Sequence, residues 1–131
     1  MKTLLHFLME HHDHDISVGL DIQKLYNQLN RDVFGRRLPI IQVSFKNLPD
    51  EDCGEYDPEL KQIFIASSPK WDSIEDIKRV LAHEMIHLEI DIFKNDADIE
   101  HSIVFDELRD KYSKISGIDI VQDAKWIYLG K

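Results

Sequence analysis

Two histidines four residues apart, with a glutamate directly after the first, stand in the segment Val80-Leu81-Ala82-His83-Glu84-Met85-Ile86-His87-Leu88. On an α-helix, residues at this spacing differ by about 40° around the axis and stack one turn above the other, so both imidazoles can reach one ion. Glu84 lies about 100° from His83, where it flanks such an ion and can contact a water there without being a ligand. This H-E-x-x-H spacing is the arrangement zinc peptidases use, and the chemistry requires each residue type. Neutral imidazoles leave net positive charge on Zn²⁺, which lowers the pKa of a bound water from about 9 toward about 7. The adjacent carboxylate then takes the proton. A plainer account is that two histidines and a glutamate share a helix in a chain rich in both types. Against it, histidines set among Ile77, Val80, Leu81, Ile86 and Leu88 need partners, because unpaired polar groups are costly to bury.

A catalytic zinc takes three protein ligands. His101 begins the next helical segment after a polar hairpin, where a chain that doubles back presents it to the same ion. Glu89, Asp91, Asp96, Asp98 and Glu100 are the other candidates. Imidazole suits zinc, which favours His101. Asp106 or Asp110 can orient a ligand imidazole through its free N–H. Tyr56, Tyr112, Tyr128 and Arg109 are candidates for stabilising developing charge, with no order among them. Near the N-terminus, His6, His11, His12 and His14 alternate with Glu10, Asp13 and Asp15. Such a cluster binds metal weakly; a short helix followed by a solvated linker is the simpler reading.

The elements that must position these residues follow from periodicity. Leu20, Ile22, Leu25, Leu29, Val33 and Phe34 recur at helical spacing between Ser17 and Phe34, and Gly35 ends the pattern. Ile41, Val43 and Phe45 alternate as in a strand over 40–46. Asn47 to Pro58 reads as loop and turn, and Gln62 to Ala66 as a second strand, with Tyr56–Glu59 turning between two antiparallel strands. Asp72 or Ser73 caps a helix that runs to about Asp91. A polar connection, Asn95 to Asp98, leads into a helix from His101 to Ser116. The tail Ala124 to Leu129 forms a last strand or docks on the core. The expectation is an α+β, zincin-like single domain over residues 1–131, with 1–16 as an N-terminal extension. Its small, mainly antiparallel sheet of three to four strands packs against an N-terminal helix, the H-E-x-x-H helix and a C-terminal helix.

Composition bounds the partners. The 131 residues are 43% hydrophobic and 31% charged, too apolar for a disordered chain and about the length of one domain. Lys and Arg number 16 against 25 Asp and Glu, a net charge of −9 that disfavours gripping phosphate backbones. The single Cys53 excludes an internal disulfide and a cysteine-rich zinc ribbon within this sequence, and a reducing, cytoplasmic setting fits it. The apolar run at Met1–Met9 is short, is broken by His6 and meets no cleavage-site residues, so it is read as mature chain. No apolar run approaches the ~20 residues a membrane span needs, and a soluble protein without membrane contact is expected.

From about residue 20 to 112 the chain resembles the SprT-like zinc metallopeptidases, the family of the Spartan-type protease domain. The resemblance runs through Leu25 to Pro39, with its Phe34-Gly35 and Leu38-Pro39 pairs, the strand Ile41 to Phe45, the Gly54–Tyr56 turn and the strand Gln62–Ala66. It continues through His83-Glu84-Met85-Ile86-His87 and His101-Ser102-Ile103-Val104-Phe105. It implies a zinc metalloendopeptidase in which His83, His87 and His101 ligate Zn²⁺, water holds the fourth position and Glu84 is the general base. Phe105 would anchor the helix that carries His101, and the strand Gln62–Ala66 would be the edge on which an extended peptide lies. Ser102 stands where the family often has Gly. The cysteine-rich ribbon or long basic tail of many relatives is absent from this sequence, which resembles a minimal form. A protein or peptide substrate is the partner implied. Nucleic acid is admitted by the resemblance but opposed by the net charge and by Asp50-Glu51-Asp52, Glu55, Asp57 and Glu59. A zinc-stabilised, catalytically weak or inactive protein-binding module is the alternative. The oligomeric state stays open.

Overall fold

A computed structural model describes residues 15–67, 71–94 and 103–130. Helix α1, Ile22–Asp32, starts where the Asp21 carboxylate accepts the Lys24 amide at 3.1 Å, and it buries Ile22, Leu25, Tyr26 and Leu29. It is shorter than the expected Ser17–Phe34. Upstream, the Asp15 carboxylate accepts both the amide and the hydroxyl of Ser17, which bends the chain into a turn. Downstream, Gly35 and Arg36 both take positive φ, 63° and 62°, and end the helix.

Helix α2, Ile74–Glu89, is capped by Ser73, whose hydroxyl accepts the Asp76 amide at 3.2 Å. Glu75 and Asp76 in its first turn complement the positive end of the helix dipole. The helix continues as a π-helical turn over Ile90–Lys94, so the helical path passes the expected end near Asp91. Helix α3, Ile103–Ser116, ends at Gly117 with φ 74°. The residues expected at its start, His101 and Ser102, lie outside the described residues, as do Asn95–Asp98 and the N-terminal histidines.

The sheet has three strands, β1 (Gln42–Lys46), β2 (Gly54–Asp57) and β3 (Gln62–Ala66), in the order β1-β3-β2. β1 pairs with β3 in parallel, Val43 beside Ile63, and β2 pairs with β3 antiparallel, Gly54 opposite Ile65. The sheet is therefore mixed, not mainly antiparallel. The difference arises because the segment read as a loop contains β2, which inserts one reversal between two strands that then run the same way. The turn falls after Asp57, whose carboxylate accepts the amides of Glu59 and Leu60 at 2.9 and 3.1 Å.

The strand Gln62–Ala66 is not an edge. β3 is the central strand and its backbone is paired on both sides, so it cannot accept a peptide by strand addition. The tail forms a 3₁₀ turn, Trp126–Leu129, not a strand. It docks through one bridge between Asp52 and Lys125, and the Trp126 ring lies 4.5 Å from that of Trp71.

One hydrophobic cluster joins these layers, with Val43, Ile63 and Ile65 from the sheet, Leu25 and Tyr26 from α1, and Phe105 and Tyr112 from α3. At its centre is α2, whose Ile77, Val80, Leu81, Met85, Ile86 and Leu88 are fully buried. Burying each such aliphatic side chain is worth about 1.5–3 kcal/mol, which makes α2 the most firmly held element and a rigid platform for polar groups. Among the described residues, no helix is long and apolar enough to cross a membrane.

Candidate metal centre

His83 and Glu84 sit within this buried helix at 2% and 3% exposure, and His87, one turn on, is half-buried. The Nε2 atoms of the two histidines are 3.2 Å apart. Without an ion this is a hydrogen bond between the two rings, and because two nitrogens held at 2.0–2.1 Å by one tetrahedral zinc stand about 3.3 Å apart, the same spacing suits a shared ion. The other ring nitrogen of His83, Nδ1, is 2.8 Å from the carbonyl oxygen of Val121. A carbonyl only accepts, so Nδ1 carries a hydrogen, and in the neutral ring Nε2 is then the acceptor of the His87 Nε2–H. Such a bond orients a metal-binding imidazole and raises its basicity. With Glu84, the potential ligand atoms lie within 4.8 Å of one another, and this is the group of three among the described residues that could hold a metal.

Two neighbours shape the pocket. The fully buried Phe105 ring packs 4.8 Å from each imidazole, at 59° to His83 and 34° to His87. It brings the start of α3 against the histidines and supplies an apolar wall. On another side, β2 crosses α2 at Gly54. A Cβ at this position would stand 2.6 Å from Val80 Cγ1 and 2.8 Å from Glu84 Oε2. Only glycine permits the approach, which seats the strand directly on the Glu84 carboxylate. Beside it, the fully buried Cys53 has its thiol pushed up to about 12, by burial first and then by the charge of Glu84. At neutral pH, with no ion beside it, this holds Cys53 as the protonated thiol.

Several other candidates are engaged elsewhere. Glu89 is buried and accepts from Tyr112 Oη at 2.6 Å and from Arg37 Nη1 at 3.2 Å. Burial first, and then this bond, push the Tyr112 phenol up to about 12. Asp91 accepts from Tyr56 Oη and Lys61 Nζ. Burial alone would raise its carboxyl, but the bonds from Lys61 and Tyr56 and the charge of Lys61 together hold it below the usual range. Asp106 and Asp110 are exposed, and Asp110 pairs with Lys114 at 3.0 Å. At His83 it is the Val121 carbonyl, not either of those carboxylates, that meets Nδ1. Arg109 donates to the Ile120 carbonyl at 3.2 Å, and Tyr128 is 44% exposed with its carbonyl bonded by Arg79. Asp96, Asp98, Glu100 and His101 lie outside the described residues.

Val121 carries no sequence signal for its role, since any residue offers a carbonyl. Gly54 carries little more, since it stands among turn-forming residues where a glycine reads as part of a loop. Comparison with protein-family models and with curated proteins returned no match to this chain.

Proposed function

We propose that the chain is a zinc-dependent metallopeptidase of the SprT-like kind, with His83, His87 and His101 as metal ligands and Glu84 as general base. The observation that carries the reading is the pair of Nε2 atoms 3.2 Å apart, one of them fixed in tautomer by Val121, with the Glu84 carboxylate on the same helix. Two adjacent imidazoles, one of them oriented by a backbone carbonyl, beside a buried acid form a donor set that suits zinc. His101 is placed third because it lies four residues before Phe105, whose ring already touches both histidines.

Zinc, when bound, supplies Lewis-acid polarisation of a peptide carbonyl and of water. The residues of the chain do the rest. His83 and His87 would hold the ion through their Nε2 lone pairs. Glu84 accepts a proton from the attacking water on a carboxylate oxygen and returns it to the leaving amine nitrogen. Gly54 lets β2 lie against that carboxylate, and Phe105 keeps water from the sides of the imidazoles. The substrate enters as an extended strand. β2 is the edge suited to receive it, because β3 pairs with only one of its sides and the strand runs across the helix that carries the site.

The test is Glu84→Gln, which keeps the side-chain volume beside Gly54. Hydrolysis of denatured protein substrates is expected to fall at least about a hundredfold, with zinc content and thermal unfolding unchanged. Equal activity in that variant rejects Glu84 as the base. A zinc-loaded native protein that binds peptides and leaves them intact rejects the peptidase reading in favour of a docking module.

A further inference from the structure

Between α3 and the C-terminal turn the chain runs alongside α2, and three successive carbonyls on this stretch are taken by side chains. The Asp119 carbonyl accepts from Arg79 Nε at 2.9 Å, the Ile120 carbonyl from Arg109 Nη1 at 3.2 Å, and the Val121 carbonyl from His83 Nδ1 at 2.8 Å. Arg79 stands one turn before His83 on α2, and Arg109 one turn after Phe105 on α3. The segment is thus held from two helices, and its third carbonyl fixes the tautomer of His83. Arg79 is itself steadied by Asp76 Oδ1 at 3.2 Å and by the Tyr128 carbonyl at 3.3 Å. Arg109 Nε is sealed from solvent with no hydrogen-bond partner among the described residues, a cost accepted where the guanidinium is held in place.

We infer that Arg79 and Arg109 are positioning residues for His83, acting through the Asp119–Val121 backbone. The side chains of Ile120 and Val121 are buried and anchor the segment in the core, but burial of apolar atoms is non-directional and does not aim a carbonyl. Hydrogen bonds are directional, weakening steeply as the donor leaves the line to the acceptor. The Ile120–Val121 peptide is held at its carbonyl by Arg109 and at its N–H by the longer 3.4 Å bond to the Arg79 carbonyl, so freeing the Ile120 carbonyl leaves only the longer bond, lets the next plane rock and loosens the bond to His83 Nδ1. The consequence for zinc affinity rests on the metallopeptidase reading. The consequence for His83 itself does not.

Arg109→Met is the sharper variant, because Arg109 contributes one bond here where Arg79 contributes several. The two guanidiniums line a cavity of about 190 Å³ that opens to solvent. Water can therefore replace the lost donor at Ile120, and the fold should persist, as thermal unfolding would verify. The decisive readout is solvent exchange of the His83 Nδ1–H in metal-free protein, followed by nitrogen-edited proton NMR. It is expected to quicken at least tenfold in Arg109→Met and to recover partly in Arg109→Lys, which restores one donor. In zinc-binding protein the dissociation constant, measured by chelator competition, is expected to rise about tenfold.

An unchanged exchange rate in a folded Arg109→Met overturns the proposal, whatever the zinc affinity. Faster exchange in a protein that takes up no zinc sustains the clamp and removes the metal reading instead. Should Arg109→Met fail to fold, Arg79→Lys asks the same question at the neighbouring carbonyl, with the charge beside Asp76 kept. Unchanged exchange in that variant is equally fatal.

Discussion

Replacing Gly54 by alanine adds one methyl group at the point where β2 meets the helix of the site. The backbone there does not require glycine, since Gly54 is not among the positive-φ positions. Loss of unfolded-state freedom would by itself stabilise the alanine variant by about 0.4–1 kcal/mol. Against this, the new Cβ would lie 2.6 Å from Val80 Cγ1 and 2.8 Å from Glu84 Oε2. Val80 is fully buried in the core and cannot swing away freely, and overpacking of this kind costs about 1–3 kcal/mol. The net expectation is a loss of about 1–2 kcal/mol, or a Tm lowered by about 4–7 °C for a chain of this size.

The carboxylate must also move, by about 0.6 Å to regain ordinary 3.4 Å contact. Misplacement of a catalytic group on that scale lowers turnover by about tenfold to a hundredfold. Thermal unfolding followed by circular dichroism measures the first effect, and hydrolysis of denatured protein substrates measures the second. A Gly54→Ala protein as stable as the parent, or more so, refutes the packing argument. Undiminished turnover refutes the role proposed for Glu84 as the base.

Tyr112→Phe removes a 2.6 Å bond to the buried Glu89 carboxylate and leaves it to the longer contact with Arg37. Urea unfolding should report a loss of about 1–3 kcal/mol, with zinc uptake unaltered. Asp91, held below the usual carboxylate range, contributes stability that is present at neutral pH. That contribution is lost as pH falls from the ordinary aspartate value near about 4 through the lower folded value. Unfolding midpoints measured across that window should fall less steeply in Asp91→Asn than in the parent. Stripping metal with a chelator should lower the Tm, and zinc resupplied at about a hundred times its dissociation constant should restore about 2.7 kcal/mol.

The parts legible in the sequence are those that local pattern controls. The periodic apolar residues of α1 and α2, the Ser73 cap and the Gly117 stop are each decided within a few neighbours, and the structure places them close to where the pattern does. The geometry of His83 and His87 follows from helical pitch alone. β2 escaped because Gly54-Glu55-Tyr56-Asp57 is short, has no β-branched residue and sits among turn formers, so its pairing comes from contact with β3 and α2. The parallel pairing of β1 with β3 escaped with it. The partners of Glu89 and Asp91 were equally hidden, since Arg37, Tyr112, Tyr56 and Lys61 reach them from 23 to 52 residues away. The orienting contact on His83 comes from a backbone atom, which no residue type announces.

Zinc stoichiometry tests the central claim most directly. The protein to measure has His6, His11, His12 and His14 replaced by glutamine, so that metal on the N-terminal cluster does not count. The account predicts about one zinc per chain in that protein, and loss or marked weakening when His101→Ala or His83→Ala is added. Absence of zinc after resupply, or zinc that disappears with the four N-terminal histidines, contradicts it.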